Sequence, residues 1–177
     1  FDGSKQRAKQ FIEDGMLHTF QQVYRCARED VPVTIYYAFK QSETERTEEN
    51  KRTASSGWET MLAAIIKAGF SITVTWPVRT EKPGRTIGNG ANALASSIVL
   101  VCRKRPNDAP VCTRRELVTA LRRELHPALD KLQEANIAPV DLAQSAIGPG
   151  IGVYSRYAHV LDADGSEMGV RAALQLI

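Results

Sequence analysis

The cysteines and histidines of this chain lack the spacing of a metal site. Three cysteines stand at positions 26, 102 and 112 without a Cys-x-x-Cys pair, and three histidines are scattered along the 177 residues. Structural zinc sites need closely spaced ligands, and disulfide frameworks need an even set of cysteines. The sequence therefore predicts neither, and the thiols favour a reducing cytoplasm.

Basic residues are concentrated in one stretch of a chain whose net charge is only +3. Residues 103–124 hold seven basic side chains against three acidic ones. The basic residues are Arg103, Lys104, Arg105, Arg114, Arg115, Arg122 and Arg123. Such a patch can neutralise phosphates and make binding depend on salt, although a solvated helix face has the same composition. Both interpretations stay open, with Arg114 and Arg115 as candidate phosphate contacts.

Three other groups of residues carry weaker signals of chemistry. The run Gly148–Gly152 is rich in glycine but does not follow a predicted strand, so a plain turn is favoured over a phosphate-binding loop. Asp162 and Asp164 lack the further acidic ligands of a calcium loop. Ser96 and Ser97 have no histidine nearby in sequence to activate them. The residues alone therefore specify no reaction.

Size and composition predict one soluble, folded unit. The chain has 19.5 kDa of mass and 43% apolar residues, which is enough for a core of its own. No stretch approaches the ~18–20 consecutive apolar residues of a membrane span. Position 1 is not Met, and we expect the chain to be part of a longer protein.

The first half of the chain predicts an α/β arrangement. An apolar stripe indicates a helix over 6–27, and β-branched and aromatic residues indicate a strand over 31–39. A second helix begins at a capping box at Ser56 and ends at Gly69. A strand over 71–76, which Pro77 should end, then completes a right-handed crossover with the two strands parallel. A third strand over 97–102 should run antiparallel to the second one.

The second half predicts mainly helices. The capping box Thr113–Glu116 opens a helix that Pro127 should kink or end. A short helix over 141–147 should stop at Gly148–Gly150, and residues 162–165 form a turn. We therefore expect residues 1–105 to form an α/β region and residues 106–177 a mainly helical extension.

One edge of the predicted sheet collects the polar residues of three strands. Ligands of parallel α/β sheets gather outside the carboxyl ends of the strands. Here that rule selects Lys40, Gln41, Trp76, Pro77, Arg79, Ser96 and Ser97, with Lys82 and Arg85 in the following loop. Trp76 can stack on a base there, and the arginines can hold phosphates. By its alternation, Trp76 is equally compatible with a core position.

Several stretches in order resemble the later part of a family of large prokaryotic proteins, the adenine-specific DNA methylases. They are GWETML (57–62), GF (69–70), TWPVRTE (75–81), NALASSIVLVCR (92–103) and NIAPVDLAQ (136–144), and the likeness continues through 147–150 and 154–157. The resemblance covers nearly all of the chain. It implies methyl transfer from S-adenosylmethionine to the amino group of a flipped adenine.

The chain departs from the family at its catalytic motifs. Amino-methyltransferases carry an Asp/Asn-Pro-Pro-Tyr/Phe motif and a glycine-rich cofactor turn, and neither is present. The resemblance therefore implies the later half of a Rossmann-like methyltransferase fold, with the cofactor and catalytic motifs upstream of Phe1. No catalytic residue is assigned here. Trp76, Arg79 and Arg85 become hypothetical DNA contacts.

This arrangement has consequences for partners. Half of a fold leaves a sheet edge and an apolar face uncovered, which the upstream part of the same chain or a homodimer would cover. As an alternative, the chain is a degenerate methyltransferase-like module that binds DNA or a partner protein through Arg103–Arg123. In a third interpretation, the basic helix only packs on a neighbouring domain.

Overall fold

Helices and strands follow one another along the described chain. This computed structural model describes residues 5–38, 56–79, 96–134 and 139–177. In chain order its elements are α1 (Lys5–Cys26), β1 (Val33–Ala38), α2 (Ser56–Lys67), β2 (Phe70–Arg79), β3 (Ser96–Lys104), β4 (Val111–Thr113), α3 (Arg114–Glu134), α4 (Pro139–Ser155), β5 (His159–Leu161) and α5 (Val170–Leu176). The chain is an α/β protein, as its sequence predicts.

The three-stranded sheet has the order β1-β3-β2, and β3 is antiparallel to both neighbours. β1 and β2 therefore run in the same direction, and α2 lies between them in the chain, as predicted. The predicted antiparallel strand is confirmed. This strand, β3, lies between β1 and β2, and its Leu100 pairs with Ile35 of β1 on one side and with Thr75 of β2 on the other.

The apolar face of α2 forms the centre of the core. Its buried side chains are Trp58, Met61, Leu62, Ile65 and Ile66, at the offsets that the periodicity predicts. Trp58 packs against Tyr37 of β1, with ring centroids 5.4 Å apart. Gly69 then adopts φ 104°, a conformation that ends a helix and favours glycine. Burial of each of the large apolar side chains of α2 stabilises the fold by about 1.5–3 kcal/mol.

The prediction that Pro77 ends the second strand is wrong. β2 continues to Arg79, and Pro77 lies opposite Ile98 of β3. Proline lacks only the N–H group, and it is tolerated at the edge of a sheet, where one side of the strand makes no ladder. Among the described strands β2 pairs with β3 alone, so its position at an edge explains the proline.

The predicted capping box of α3 is confirmed. The Thr113 backbone N–H donates to Glu116 Oε2 over 2.7 Å, and the Glu116 N–H donates to Thr113 Oγ1 over 3.3 Å. α3 then runs through Pro127 to Glu134 without ending there. Just before it, β4 pairs in parallel with β5. This small sheet was not predicted, because strands of three residues are too short to show an alternation.

The expected stop of a helix at Gly148–Gly150 is also wrong. α4 runs through these residues to Ser155. A Cβ at Gly148 would lie 1.6 Å from Thr75 Oγ1, and one at Gly150 would lie 2.5 Å from a side-chain carbon of Ile177. Glycine is therefore needed for close approach rather than for a turn. The packing of α4 outweighs the usual cost of about 3 kcal/mol for a proline inside a helix.

A single hydrophobic cluster includes residues from both halves of the chain. Its members include Leu62 and Phe70 from the first half and Leu117, Ile151 and Ala173 from the second. At the contact between α4 and β2, the Ile72 N–H donates to Ser155 Oγ over 2.8 Å. The helices after β4 therefore complete the core of the three-stranded sheet. The division at residue 105 stays a prediction.

Candidate functional site

The sheet brings the ends of its three strands to one edge. Ala38, the last residue of β1, lies opposite Ser97, and Arg79, the last residue of β2, lies opposite Ser96. The carboxyl ends of β1 and β2 and the start of β3 therefore meet, as the crossover predicts. Four candidates lie outside the described residues: Lys40, Gln41, Lys82 and Arg85. The side chain of Arg79 is also outside the described part.

Trp76 is exposed rather than buried. Its side chain is 54% exposed, which resolves the two interpretations that its alternation allowed. It lies opposite Val99 of β3, and Val99 lies opposite Tyr36 of β1, which is 70% exposed. Tyr37 points to α2, so Tyr36 lies on the other side of the sheet. These three residues form a row across the sheet.

This row belongs to a larger apolar surface that we call the open sheet face. It consists of the exposed side chains of Tyr36, Val74, Trp76 and Val78. Aromatic rings at such a surface can stack on a planar base. Val74, Trp76 and Val78 carry no acid or base group, so the face is suited to binding rather than to acid–base catalysis.

The predicted basic patch separates into two places. Lys104 lies over the ring of Tyr24 in α1, 4.8 Å from its centroid, and Arg103 donates to the backbone of Asp30. The remaining arginines of the patch lie on α3, apart from Arg105 after β3. Sequence proximity therefore does not make these residues one surface.

On α3 the arginines differ in what they contact. Arg114 forms an ion pair with Asp162 of 3.2 Å. Arg123 Nη2 lies 2.7 Å from Glu124 Oε1, and Arg156 lies equally close to the same oxygen. These two guanidinium groups, Arg156 first, hold the pKa of Glu124 below its ordinary value. A phosphate that bound Arg114 would have to compete with Asp162 for its guanidinium group.

The side chains of Arg115 and Arg122 form no ion pair or hydrogen bond within the described ranges. Both are exposed. Seven residues separate them, so they lie on the same side of α3, about 10 Å apart along its axis. We call Arg115, Arg122, Arg123 and Arg156 the α3 arginine surface.

A cavity of about 660 Å³, which the sequence did not indicate, lies between α1, α2 and the β5–α5 region. Several of its charged groups are engaged in holding the fold. Glu59 pairs with Arg171 at 2.9 Å, and His159 lies 3.0 Å from Glu167. Tyr154 donates to the Met168 carbonyl, and burial raises its pKa to about 12. Tyr154 is therefore not poised for proton transfer.

Arg105 closes one end of this cavity. Its guanidinium donates to the backbone carbonyls of Ile66, Ser155 and Tyr157 over 3.4, 3.3 and 3.0 Å. These three carbonyls lie at or just beyond the ends of α2 and α4. Arg105 has a structural role and is not available to a phosphate.

The two buried cysteines provide no nucleophile. Cys102 and Cys112 are buried, and burial raises the pKa of the Cys102 thiol to about 12. Thiols are reactive only as thiolates. Cys26 is exposed on α1, and no catalytic partner was predicted for it. Cysteine chemistry is therefore not supported at the buried positions.

The glycine run of α4 does not form a cradle for a phosphate or a cofactor. Gly148 and Gly152 pack against β2, and a Cβ at Gly152 would lie 3.1 Å from the Ile72 carbonyl oxygen. Their space is filled by the protein itself. Cofactor-binding turns need glycines whose backbone faces the ligand, and these glycines do not meet that requirement.

The described part of the chain contains neither a cluster of metal-binding side chains nor a membrane-spanning helix. No group of three His, Cys, Asp or Glu side chains in the four described ranges is placed to hold a metal ion. No described helix is long and apolar enough to cross a bilayer. No family model, curated protein or solved structure matches this chain.

Proposed function

We propose that this chain is a segment of an S-adenosylmethionine-dependent DNA adenine methyltransferase. In this proposal it contributes walls on the DNA side of the pocket and is inactive alone. The observation that carries the proposal is the exposed Trp76 ring, three residues before the end of β2 at the edge where β1, β2 and β3 meet. Ligands of α/β sheets bind at such edges.

The strand directions support the proposal. Two strands that run in the same direction, with α2 between them in the chain and an antiparallel third strand, are the elements that the resemblance implies. Within the described ranges the outer edge of β1 has no partner strand, and the open sheet face is exposed. The doubly wound sheet that the resemblance implies would be covered on both faces. The upstream part of the parent protein would cover this one.

The division of labour follows from what the described residues can do. The Trp76 ring would stack on an adenine taken out of the duplex, and stacking of this kind is sequence-tolerant. Lys40, Arg79 and Arg85 would hold phosphates beside it. The glycine run of α4 is filled by the protein's own side chains, and in this proposal the site of S-adenosylmethionine, which supplies the methyl group, lies in the upstream part.

Calorimetry with S-adenosylmethionine tests this division. The chain of residues 1–177 should show no binding, while the parent protein should bind the cofactor. In the parent, Trp76→Ala should weaken binding of target DNA by about 1–3 kcal/mol, because one stacked base is lost. Trp76→Phe, which keeps a ring, serves as the matched control and should retain most of the affinity.

Two results would contradict the proposal. Tight binding of S-adenosylmethionine to residues 1–177 alone would place the cofactor site within them. Unchanged DNA affinity of the Trp76→Ala variant would show that the ring does not contact the base. Circular dichroism of both variants should match that of the wild type, since an exposed ring contributes little to folding.

A further inference from the structure

Four guanidinium groups from two helices meet on one side of the molecule, as the α3 arginine surface. Arg115 and Arg122 lie on the same side of α3, and Arg123 follows directly. Arg156, just beyond α4, joins them because it shares the Glu124 carboxylate with Arg123. Arg156 also lies over the ring of Tyr157, 5.6 Å from its centroid, which holds its guanidinium in place.

The carboxylates on this surface are already engaged. Glu116 accepts from the Thr113 N–H and from its hydroxyl over 2.7 and 2.9 Å. Glu124 is shared by two arginines at 2.7 Å each. Four positive groups against two negative ones leave two positive charges in surplus. Arg115 and Arg122 carry that surplus, because nothing in the described part of the chain pairs with them.

The surroundings of these arginines decide the kind of partner. The other exposed residues of α3 around these arginines are Arg114, Glu116, Thr119, His126 and Pro127. The large exposed apolar side chains lie on other elements, with Val111 of β4 the nearest in sequence. The centre of a protein interface is enriched in aromatic and apolar residues, and membrane-binding helices need an apolar face. A surface that is mostly charged and polar, with the Tyr157 ring under Arg156, fits a polyanion.

We infer that the α3 arginine surface binds the phosphate backbone of duplex DNA. Guanidinium groups match phosphate geometry with paired hydrogen bonds. Because they lie about 10 Å apart along α3, the long side chains of Arg115 and Arg122 can contact separate phosphates. The contact is independent of base sequence. The inference does not require that the chain be part of a methyltransferase. The α3 arginine surface lies on α3 and just beyond α4, whereas Trp76 lies on β2.

Fluorescence anisotropy with a labelled duplex, measured at several salt concentrations, tests the inference on the full chain. The Arg115→Gln/Arg122→Gln variant should bind at least about 10-fold more weakly. The slope of log affinity against log salt should fall by about two, one unit for each lost phosphate contact. Lys9→Gln/Arg25→Gln makes the same change in net charge on α1 and should leave affinity and slope nearly unchanged.

Three outcomes would overturn the inference. One is the absence of duplex binding by the wild-type chain, and another is equal weakening by the two double variants, which would reflect net charge alone. The third is equally tight binding of polyglutamate, which would show a general affinity for polyanions. Since Arg115 and Arg122 have no described partners, their replacement should not unfold the chain, and a thermal melt checks this.

The Trp76→Ala variant separates this inference from the proposed function. If Trp76→Ala weakens DNA binding and the arginine variant does not, the sheet edge alone binds DNA and the inference fails. If only the arginine variant weakens binding, the α3 arginine surface binds DNA and the role of Trp76 fails.

Discussion

Gly148 and Gly15 are both helical glycines, yet a methyl group would meet different surroundings at the two positions. At Gly148 it would collide with Thr75, which has three side-chain atoms within 2.8 Å of the added carbon. At Gly15 there is nothing within 4 Å. Space, rather than helix propensity, therefore decides what each glycine does.

The same substitution should have opposite effects at these two glycines. Gly148→Ala should lower the free energy of unfolding by about 1–3 kcal/mol, because overpacking moves α4 away from β2. Gly15→Ala should raise it by about 0.5–1 kcal/mol, because alanine is the better helix former. Urea denaturation measures both. A stabilising Gly148→Ala would contradict the close approach of α4 to β2.

At the scale of elements, the N-terminus of α3 depends on an ionised carboxylate. The hydrogen bonds from Thr113, first that of its backbone N–H, lower the pKa of Glu116 from its ordinary value of 4.5. A carboxyl group whose pKa is lowered in the folded state stabilises the protein at pH values above its unfolded-state pKa. That contribution is lost as the pH falls through the lowered folded-state value.

Glu116→Gln should therefore flatten the acid limb of the stability profile. Glutamine can still accept the hydrogen bonds of Thr113 but does not titrate. Between about pH 6 and 3 the wild type should lose more stability than the variant, as measured by thermal melts at a series of pH values. Parallel profiles for the two proteins would rule out a role of this charge at the cap.

Some elements could be predicted because their signals are local. The face of α2 is visible in the spacing of Trp58, Met61 and Leu62, and the capping box of α3 spans four residues. The residues Pro77 and Gly148–Gly150 were misread because their local preference is overruled by neighbours far away in sequence. An edge position permits the proline, and contact with Thr75 explains Gly148.

The candidate site was predictable to a similar extent. The sheet-edge rule selected Trp76; its ring is exposed, which excludes a core position, and its role as a DNA contact stays a prediction. The pairing of Arg114 with Asp162 could not be foreseen, because it depends on where the turn after β5 lies. Arg156 was missed for the same reason, since only the packing of α4 on α3 brings it beside Glu124.

At the scale of the whole molecule, the two faces of the three-stranded sheet differ in their burial. One face packs on α2 and contains Tyr37, while the open sheet face leaves Tyr36 70% exposed. Exposed apolar patches of this kind mark interaction surfaces. The proposed function assigns this surface to the upstream part of the parent protein.

Tyr36→Lys tests whether that surface is covered in the parent. In the isolated chain the substitution should change stability by less than about 0.5 kcal/mol, because the side chain is already exposed. In the parent it should destabilise by a few kcal/mol, because an unpaired charge would be buried. Thermal or urea unfolding of both proteins measures this, with Tyr36→Thr, which adds no charge and keeps β propensity, as the control. If the stability of the parent protein did not change, the open sheet face would be uncovered in it, and the proposal that this chain is a segment of a larger methyltransferase would be contradicted.

The hydrogen bonds of Arg105 couple the local unfolding of two helix ends. Carbonyl groups at the ends of helices carry partial negative charge, and this one guanidinium meets those of both α2 and α4. If the last turn of either helix frays, its carbonyl group moves away from the Arg105 guanidinium, which also binds the end of the other helix. The last turns of these helices, more than eighty residues apart in sequence, should therefore open as one cooperative unit rather than as two independent ones.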